Sequence, residues 1–186
     1  LDFDAGAWGL VLRGDAPGDA LRVTAYGLWA LDWLRCGLDA SGYYRTNLVL
    51  HLGCALSVVA IVRQRSDAWA ALAAAAVLAF EPGRAEPLNF LSAREDGLAA
   101  LLVVATAALW PRLRGTRGGV LIAAGLYGMA CFSKAPALVL PLLLAAVDHH
   151  DGLRTRRWLP LLGVTGLWLA AAAAVGAFGA DVGGEP

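Results

Sequence analysis

The sequence predicts an all-α, polytopic helical membrane protein with an extracytoplasmic amphipathic helix and several short or broken spans. Two observations predict this class. Of the 186 residues, 59% are hydrophobic and only 16% are charged, whereas a soluble domain typically carries about 25% charged residues. The charges also collect in short segments between long apolar runs. Because Lys+Arg and Asp+Glu both number 15, the net charge does not indicate a nucleic-acid partner.

Six apolar segments are candidates for membrane spans, which need roughly 20 mostly apolar residues, or fewer where the bilayer is thin. They are residues 46–62, 67–80, 91–110, 118–132, 135–147 and 158–180. We divide the chain into an extracytoplasmic first loop (1–45), a transmembrane domain (46–180) and an extracytoplasmic stub of the next loop (181–186). Since the chain opens without Met and ends directly after an apolar run, we expect a fragment of a longer protein.

Three loops between the spans are rich in arginine, and the positive-inside rule places them in the cytoplasm. Their arginines are Arg63 and Arg65, then Arg112, Arg114 and Arg117, then Arg154, Arg156 and Arg157. Alternation of the spans then places "EPGRAEP" outside and requires a break at "SKAP". Pro136 favours that break, because proline disfavours helix at the residue before it. Each half has about 14 residues, or roughly 20 Å, so these segments are expected to be tilted, thinned or re-entrant.

Residues 20–37 are predicted to form an amphipathic helix on the outer membrane surface. The segment contains Arg22, Asp32 and Arg35. A charge at the centre of a span costs about 2.5–3.5 kcal/mol, whereas the Trp and Tyr residues of this segment favour the interface. Residues 1–45 are therefore expected to be wholly extracytoplasmic.

Charged side chains gather on the predicted outer side, where groups at membrane depth are candidates for function because exposure to lipid is costly. They are Asp2, Asp4, Glu81, Glu86, Glu95, Asp96 and Lys134. Two other interpretations stay open. The loop 81–96 could be a solvated loop with internal salt bridges, and Lys134 could extend to the interface rather than towards a phosphate.

A polar stripe follows one face of the helix predicted from "YYRTNLVLHLGC", formed by Tyr44, Asn47, His51 and Cys54 at helical spacing. This face should turn towards other helices or a cavity. Asn47 and His51 could instead bond to neighbouring backbone and hold helices together. No metal site is predicted, because His51 has no second ligand at i+4. The cysteines likewise show no metal-binding spacing.

Four pieces occur in order along the chain: "LDFD", "LRVTAYGLWALDWLRCGLDASGYYRTNLVLH", "FEPGRAEPLNFLSARED" and "GLYGMACFSKAPALVLPLLLAAVD". Over about residues 1–150 they resemble the GT-C superfamily of integral-membrane glycosyltransferases. The chain looks most similar to the transmembrane-and-TPR O-mannosyltransferases and their bacterial relatives. Protein O-mannosyltransferases and aminoarabinose transferases are more distant in this resemblance.

The resemblance implies transfer of a sugar, as in a mannosyltransferase, from a polyprenyl-phosphate donor to a protein or glycan acceptor at the extracytoplasmic face. Asp2 or Asp4 would be the catalytic base, and Lys134, Arg94 and Arg22 would bind the donor phosphate. The other implied cavity residues are His51, Asn47, Glu81, Glu86, Ser92, Asp96 and Ser133.

The sequence departs from the family pattern at several of these positions. Glu81 stands where a histidine usually precedes the proline, and the first acidic pair is "DFD" rather than two adjacent acids. The choice between Asp2 and Asp4 therefore stays open, and a divalent cation is the one cofactor left open. The implied location is a multi-pass protein in the lipid bilayer, in the plasma or inner membrane if the protein is bacterial.

Two other functional classes fit parts of the same pattern. A secondary transporter or flippase also has broken helices with charges near the bilayer midplane, although no internal repeat is evident in these residues. A catalytically inactive GT-C-like membrane subunit would keep the fold while its acids vary, as the irregular "DFD" allows.

Overall fold

A computed structural model of the protein describes residues 21–80, 94–153 and 156–177. Over these ranges the chain forms helices and turns without a strand, which confirms the predicted all-α class. The helices are α1 (Val23–Cys36), α2 (Ala40–Arg63), α3 (Ala68–Phe80), α4 (Arg94–Leu113), α5 (Arg117–Cys131), a 3-10 helix (Ala135–Val139), α6 (Leu140–His150) and α7 (Leu159–Ala174).

Helix α4 is the centre of the bundle. It packs against α2 on one side and α5 on the other, and it also contacts α1, α6 and the 3-10 helix. Helices α2 and α4, with 24 and 20 residues, are long and apolar enough to cross a membrane. The other apolar helices of the described residues have 10–17 residues and are shorter than a full span.

Helix α2 begins at Ala40, six residues before the predicted span 46–62. The reason is a local cap, because the carboxylate of Asp39 accepts hydrogen bonds from the Ser41 backbone N–H at 3.0 Å and from Ser41 Oγ at 2.8 Å. These two bonds lower the pKa of Asp39. The predicted boundary between the first loop (1–45) and the transmembrane domain (46–180) therefore falls inside α2.

The break predicted at "SKAP" is confirmed. Helix α5 ends at Cys131, and Lys134 adopts an extended backbone conformation with φ −157° and ψ 138°. Pro136 lies in the first turn of the 3-10 helix, where its missing N–H is not needed. Residues 132–134 are thus a non-helical link between two short helices.

The predicted helix at residues 20–37 is present as α1, but its burial is the reverse of that in a soluble amphipathic helix. Leu34 is 81% exposed, whereas the carboxylate-bearing residue Asp32 is only 2% exposed. Asp32 thus packs against the bundle, while Leu31 and Leu34 lie on the outer face of α1.

The buried core lies between α4, α5, α6 and α7, where Trp110, Tyr127, Leu140, Leu144 and Leu161 are fully enclosed. In contrast, only 17% of the most apolar stretch of α2 and 28% of that of α4 are buried. Large apolar residues such as Trp69 and Phe80 of α3 are also exposed. An apolar helix in a soluble protein is normally enclosed, so this outer surface is unusually apolar.

Candidate functional site

Four charged side chains meet at one end of the bundle, and we call them the Lys134 cluster: Arg22, Glu95, Asp96 and Lys134. Lys134 Nζ lies 2.6 Å from an Asp96 oxygen and 3.5 Å from a Glu95 oxygen. Arg22 Nη1 lies 2.9 Å from the same Glu95 oxygen. Glu95 thus links the two cations across the start of α4.

The local fold explains why these residues meet. Glu95 and Asp96 occupy the first turn of α4, where carboxylates are favoured by the helix dipole. Lys134 lies in the non-helical link between α5 and the 3-10 helix, where its backbone is extended. The direction of its side chain is therefore not set by a helix. The backbone N–H of Thr24 donates to the carbonyl of Phe132 at 3.1 Å, which fixes the start of α1, and hence Arg22, beside that link.

The cluster keeps Lys134 charged at neutral pH. Partial burial alone would lower the pKa of Lys134, but the hydrogen bond to Asp96 and the negative charges of Asp96 and Glu95 outweigh it and raise that pKa above its ordinary value. The Lys134 side chain is 31% exposed. The ammonium is therefore a cation that an incoming ligand can reach.

Two clefts meet at Lys134, and Lys134 and Pro136 line both. The first has a volume of about 250 Å³ and runs along α4 from Asp96 to Val103. The second has a volume of about 230 Å³ and lies between Arg22 and the inner face of α7. The first cleft is further lined by Ala99, Ala100, Val103 and Ala137. The second is further lined by Leu21, Cys131, Ser133, Ala135 and Trp168.

The second cleft contains an unpaired donor. Trp168 of α7 is 6% exposed, and its indole Nε1–H has no hydrogen-bond partner within the described ranges. A buried N–H without an acceptor costs about 1–3 kcal/mol, so most buried donors in proteins are satisfied. An oxygen-bearing ligand in the cleft would supply the missing acceptor.

Arg94 belongs to a separate buried network. Its guanidinium is fully enclosed and donates to Asp32 Oδ2 at 2.6 Å, to Asn47 Oδ1 at 2.9 Å and to the Tyr43 carbonyl at 2.8 Å. It also stacks on the Trp29 ring at 4.7 Å. This environment joins α1, α2 and α4 through Arg94, and the phosphate contact that the resemblance implies stays a prediction.

The structure therefore brings together some of the predicted site residues and separates others. Arg22, Asp96, Ser133 and Lys134 lie at the Lys134 cluster or its clefts, although Ser133 Oγ donates to the Met129 carbonyl at 3.1 Å. Asn47 lies in the Arg94 network, and His51 is half-buried one turn further along α2. The remaining predicted residues, Asp2, Asp4, Glu81, Glu86 and Ser92, lie outside the described residues.

The predicted polar stripe on α2 is only partly turned inwards. Asn47 and Cys54 are buried towards α4, and Cys54 Sγ lies 3.9 Å from the Gly97 carbonyl. Tyr44, however, is 45% exposed. Its neighbour Tyr43 is the buried tyrosine, and the Tyr43 hydroxyl donates to the Gly37 carbonyl at 2.8 Å.

Three residues of these networks were not among the predicted site residues. Asp32 gave a usable signal, because a carboxylate inside an apolar helix needs a cationic partner. Glu95 lies inside the "RED" run and carried the same signal as Asp96. Trp168 gave none, since a tryptophan in an apolar run is ordinary in both a core and a membrane span.

A second charged cluster, which we call the basic end, lies at the other end of α4. Arg114 Nη1 donates to Asp148 at 2.6 Å and to Asp151 at 3.0 Å, and Arg65 donates to Asp151 at 3.1 Å. Asp148 is buried and also accepts from Trp110 Nε1 at 2.9 Å. Arginines from two loops that the sequence assigns to one side of the membrane thus meet at one end.

The basic end predicts a dependence of stability on pH. The hydrogen bond from Arg114, and then that from Arg65, lower the pKa of Asp151 below its ordinary value of 3.8. A carboxyl group with a lowered folded-state pKa stabilises the protein above its unfolded pKa, and this contribution is lost as the pH falls. The stability advantage of the wild type over Asp151→Asn, below about 1 kcal/mol for so accessible a pair, should therefore be full at about pH 5 and smaller at about pH 3.

Thermal unfolding in detergent across that range measures this effect. Asp67→Asn is the matched control, because Asp67 caps α3 through the Ala70 N–H at 2.8 Å and asparagine caps equally well. An advantage of the wild type over Asp151→Asn that stayed constant down to pH 3 would contradict the prediction.

Comparison of the chain with protein-family models, curated proteins and solved structures found no significant match. Within residues 21–80, 94–153 and 156–177, no group of three or more His, Cys, Asp or Glu side chains is placed to hold a metal ion. The candidate site is defined by the geometry of the Lys134 cluster and its clefts.

Proposed function

We propose that the chain is part of a membrane-embedded glycosyltransferase that uses a polyprenyl-phosphate sugar as donor at the Lys134 cluster, on the extracytoplasmic side. The observation that carries the proposal is the position of Lys134. A reachable ammonium stands where two clefts meet, and one of these follows an apolar helix face. A phosphate attached to a long apolar chain has matching chemistry, with an anionic head and a hydrocarbon tail.

The apolar outer surface supports the membrane placement. The exposed faces of α2, α3 and α5 carry large apolar side chains, which a soluble monomer rarely presents over so wide an area. The Lys134 cluster and the basic end are separated along α4 by the 18 residues from Asp96 to Arg114. At 1.5 Å per residue this is about 27 Å, close to the thickness of a bilayer's hydrocarbon core.

The proposed reaction inverts the configuration at the anomeric carbon. A hydroxyl of the acceptor attacks that carbon and forms the new glycosidic bond, while the bond between the carbon and the donor phosphate oxygen breaks. The hydroxyl proton passes to a carboxylate, which the resemblance assigns to Asp2 or Asp4. Polyprenyl phosphate leaves with the electron pair, and Lys134 and Arg22 stabilise its negative charge.

Labelled donors test the function directly. Membranes that contain the full-length protein are incubated with polyprenyl-phosphate mannose and with other polyprenyl-phosphate sugars, and label is measured on protein and glycan acceptors. Transfer that is lost in Asp2→Asn/Asp4→Asn, while membrane insertion is kept, supports the proposal. Binding without transfer would favour the inactive subunit, and movement of intact donor across the membrane would favour the flippase.

Trp168 makes a separate prediction about the second cleft. Trp168→Phe keeps most of the packing but removes the unpaired N–H. The affinity for polyprenyl phosphate should therefore fall about 10- to 150-fold, since a hydrogen bond to a charged group contributes about 1.5–3 kcal/mol. Thermal stabilisation of the full-length protein by polyprenyl phosphate measures the affinity. Trp69→Phe, on the exposed face of α3, is the control and should bind as wild type does. Equal affinities in all three proteins would remove Trp168 from the site.

A further inference from the structure

Another cleft lies away from the Lys134 cluster and its two clefts, between the first turn of α5 and the first turn of α7. Its volume is about 500 Å³. We call it the arginine cleft, and it is lined by Arg117, Arg156, Arg157, Thr116, Val120, Leu121 and Pro160. It adjoins the basic end, because Arg157 donates to the carbonyl of Arg114 at 2.7 Å.

The electrostatics of the arginine cleft favour an anion. Three guanidinium groups line it, and none of its lining residues is acidic. Over the described ranges, neither Arg117 nor Arg156 forms an ion pair. The helices α5 and α7, of 15 and 16 residues, both begin here, so the positive ends of two helix dipoles add to the same field.

The shape of the arginine cleft favours an anion that carries an apolar tail. Val120, Leu121 and Pro160 form the apolar part of its lining. Leu121 is 71% exposed and its neighbour Ile122 is 56% exposed, so an apolar surface continues along α5 away from the arginines. A free anion would use only the arginines and would leave this surface uncovered.

We infer that the arginine cleft binds the phosphate headgroup of an anionic phospholipid, with the acyl chains against the outer face of α5. Basic pockets between membrane helices on the side of positive loops recognise such headgroups. The inference rests on the membrane placement in the proposed function, but it does not depend on sugar transfer. The Lys134 cluster is a different kind of site, because two carboxylates balance its two cations.

The test compares two double variants of the full-length protein in nanodiscs with equal amounts of phosphatidylglycerol and phosphatidylcholine. Arg117→Gln/Arg156→Gln removes two charges from the cleft. Arg63→Gln/Arg112→Gln removes two charges from exposed residues at the same end of the bundle but outside the cleft. Native mass spectrometry after extraction measures the ratio of retained phosphatidylglycerol to phosphatidylcholine, and titrations with inorganic phosphate and with glycerol phosphate form a separate arm.

The cleft variant should lose at least about tenfold in this ratio, since it removes two of the three arginines that would bind the headgroup. The control variant should keep the wild-type ratio, since it leaves the arginines of the cleft in place and lipid attracted only to the general surface is lost on extraction. Equal ratios in all three proteins, or equal losses in both variants, would overturn the inference. Displacement of the lipid by inorganic phosphate at equal concentration would also overturn it, because the ligand would then be a soluble anion. Sugar transfer is measured separately, so its absence tests only the proposed function.

Discussion

Replacement of Arg94 by methionine is expected to lower the free energy of unfolding by about 3–5 kcal/mol. The guanidinium is fully enclosed and lies 2.6 Å from Asp32, which is itself 2% exposed. Removal of one partner leaves a buried carboxylate without its counter-charge, and this costs more than the pair contributes when both partners are present. Thermal or denaturant unfolding in detergent, together with the yield of monodisperse protein, measures the loss.

A second substitution separates this cause from a simple loss of packing. Arg94→Met combined with Asp32→Leu removes both charges, so most of the lost stability should return. Arg45→Met on the exposed face of α2 is the control and should change stability by less than about 0.5 kcal/mol. A double variant as unstable as Arg94→Met would show that the ion pair is not the cause.

The same double variant decides what Arg94 does. If Arg94 is structural, the folded double variant should bind polyprenyl phosphate with nearly wild-type affinity. If Arg94 contacts the donor phosphate, as the resemblance implies, the double variant should fold and yet lose that binding.

The largest effect on function is expected from Lys134→Met. If Lys134 stabilises the leaving phosphate, its loss should lower the rate of sugar transfer by about 10²–10³-fold, the range for removal of one group that stabilises developing charge. The fold should tolerate the change. Glu95 keeps its ion pair with Arg22, and Asp96, at 42% exposure, can be hydrated. The transfer assay with labelled donor measures the rate, and the unfolding temperature checks the fold.

Lys134→Arg is the companion variant, because it keeps the charge but changes the shape and reach of the donor group. It should recover part of the lost rate. Arg35→Met, an exposed position on α1, serves as the control for loss of a positive charge. Wild-type transfer in Lys134→Met would remove the cation from the mechanism.

Lys134 also offers a direct chemical readout. It is the single lysine among the 186 residues, so amine acylation of the peptide that contains it reports on this one side chain. Acylation should slow when polyprenyl phosphate is present, since a bound phosphate would cover the ammonium.

Features with local causes were predictable from the sequence. The break at "SKAP" follows from Pro136, and the helix at residues 20–37 follows from its spacing of aromatic and charged residues. The gathering of Arg65, Arg114 and Arg157 at one end agrees with the expectation, from the positive-inside rule, that their loops share a side.

Features that depend on pairing across long distances in the chain were not predictable. Arg94 and Asp32 are 62 residues apart, and nothing in their local sequence shows that one should neutralise the other. The sequence alone therefore does not show the buried partners that Arg94 has in the fold. The early start of α2 depends on the Asp39 cap, a short-range signal that the apolar pattern from residue 46 concealed.

The first three residues of α4 each serve a different neighbour. Arg94 enters the buried network with α1 and α2, Glu95 pairs with Arg22, and Asp96 pairs with Lys134. Successive helical residues project about 100° apart, so a rotation of α4 about its axis that freed one of them would displace the other two. These three contacts therefore fix the rotation of helix α4 about its own axis.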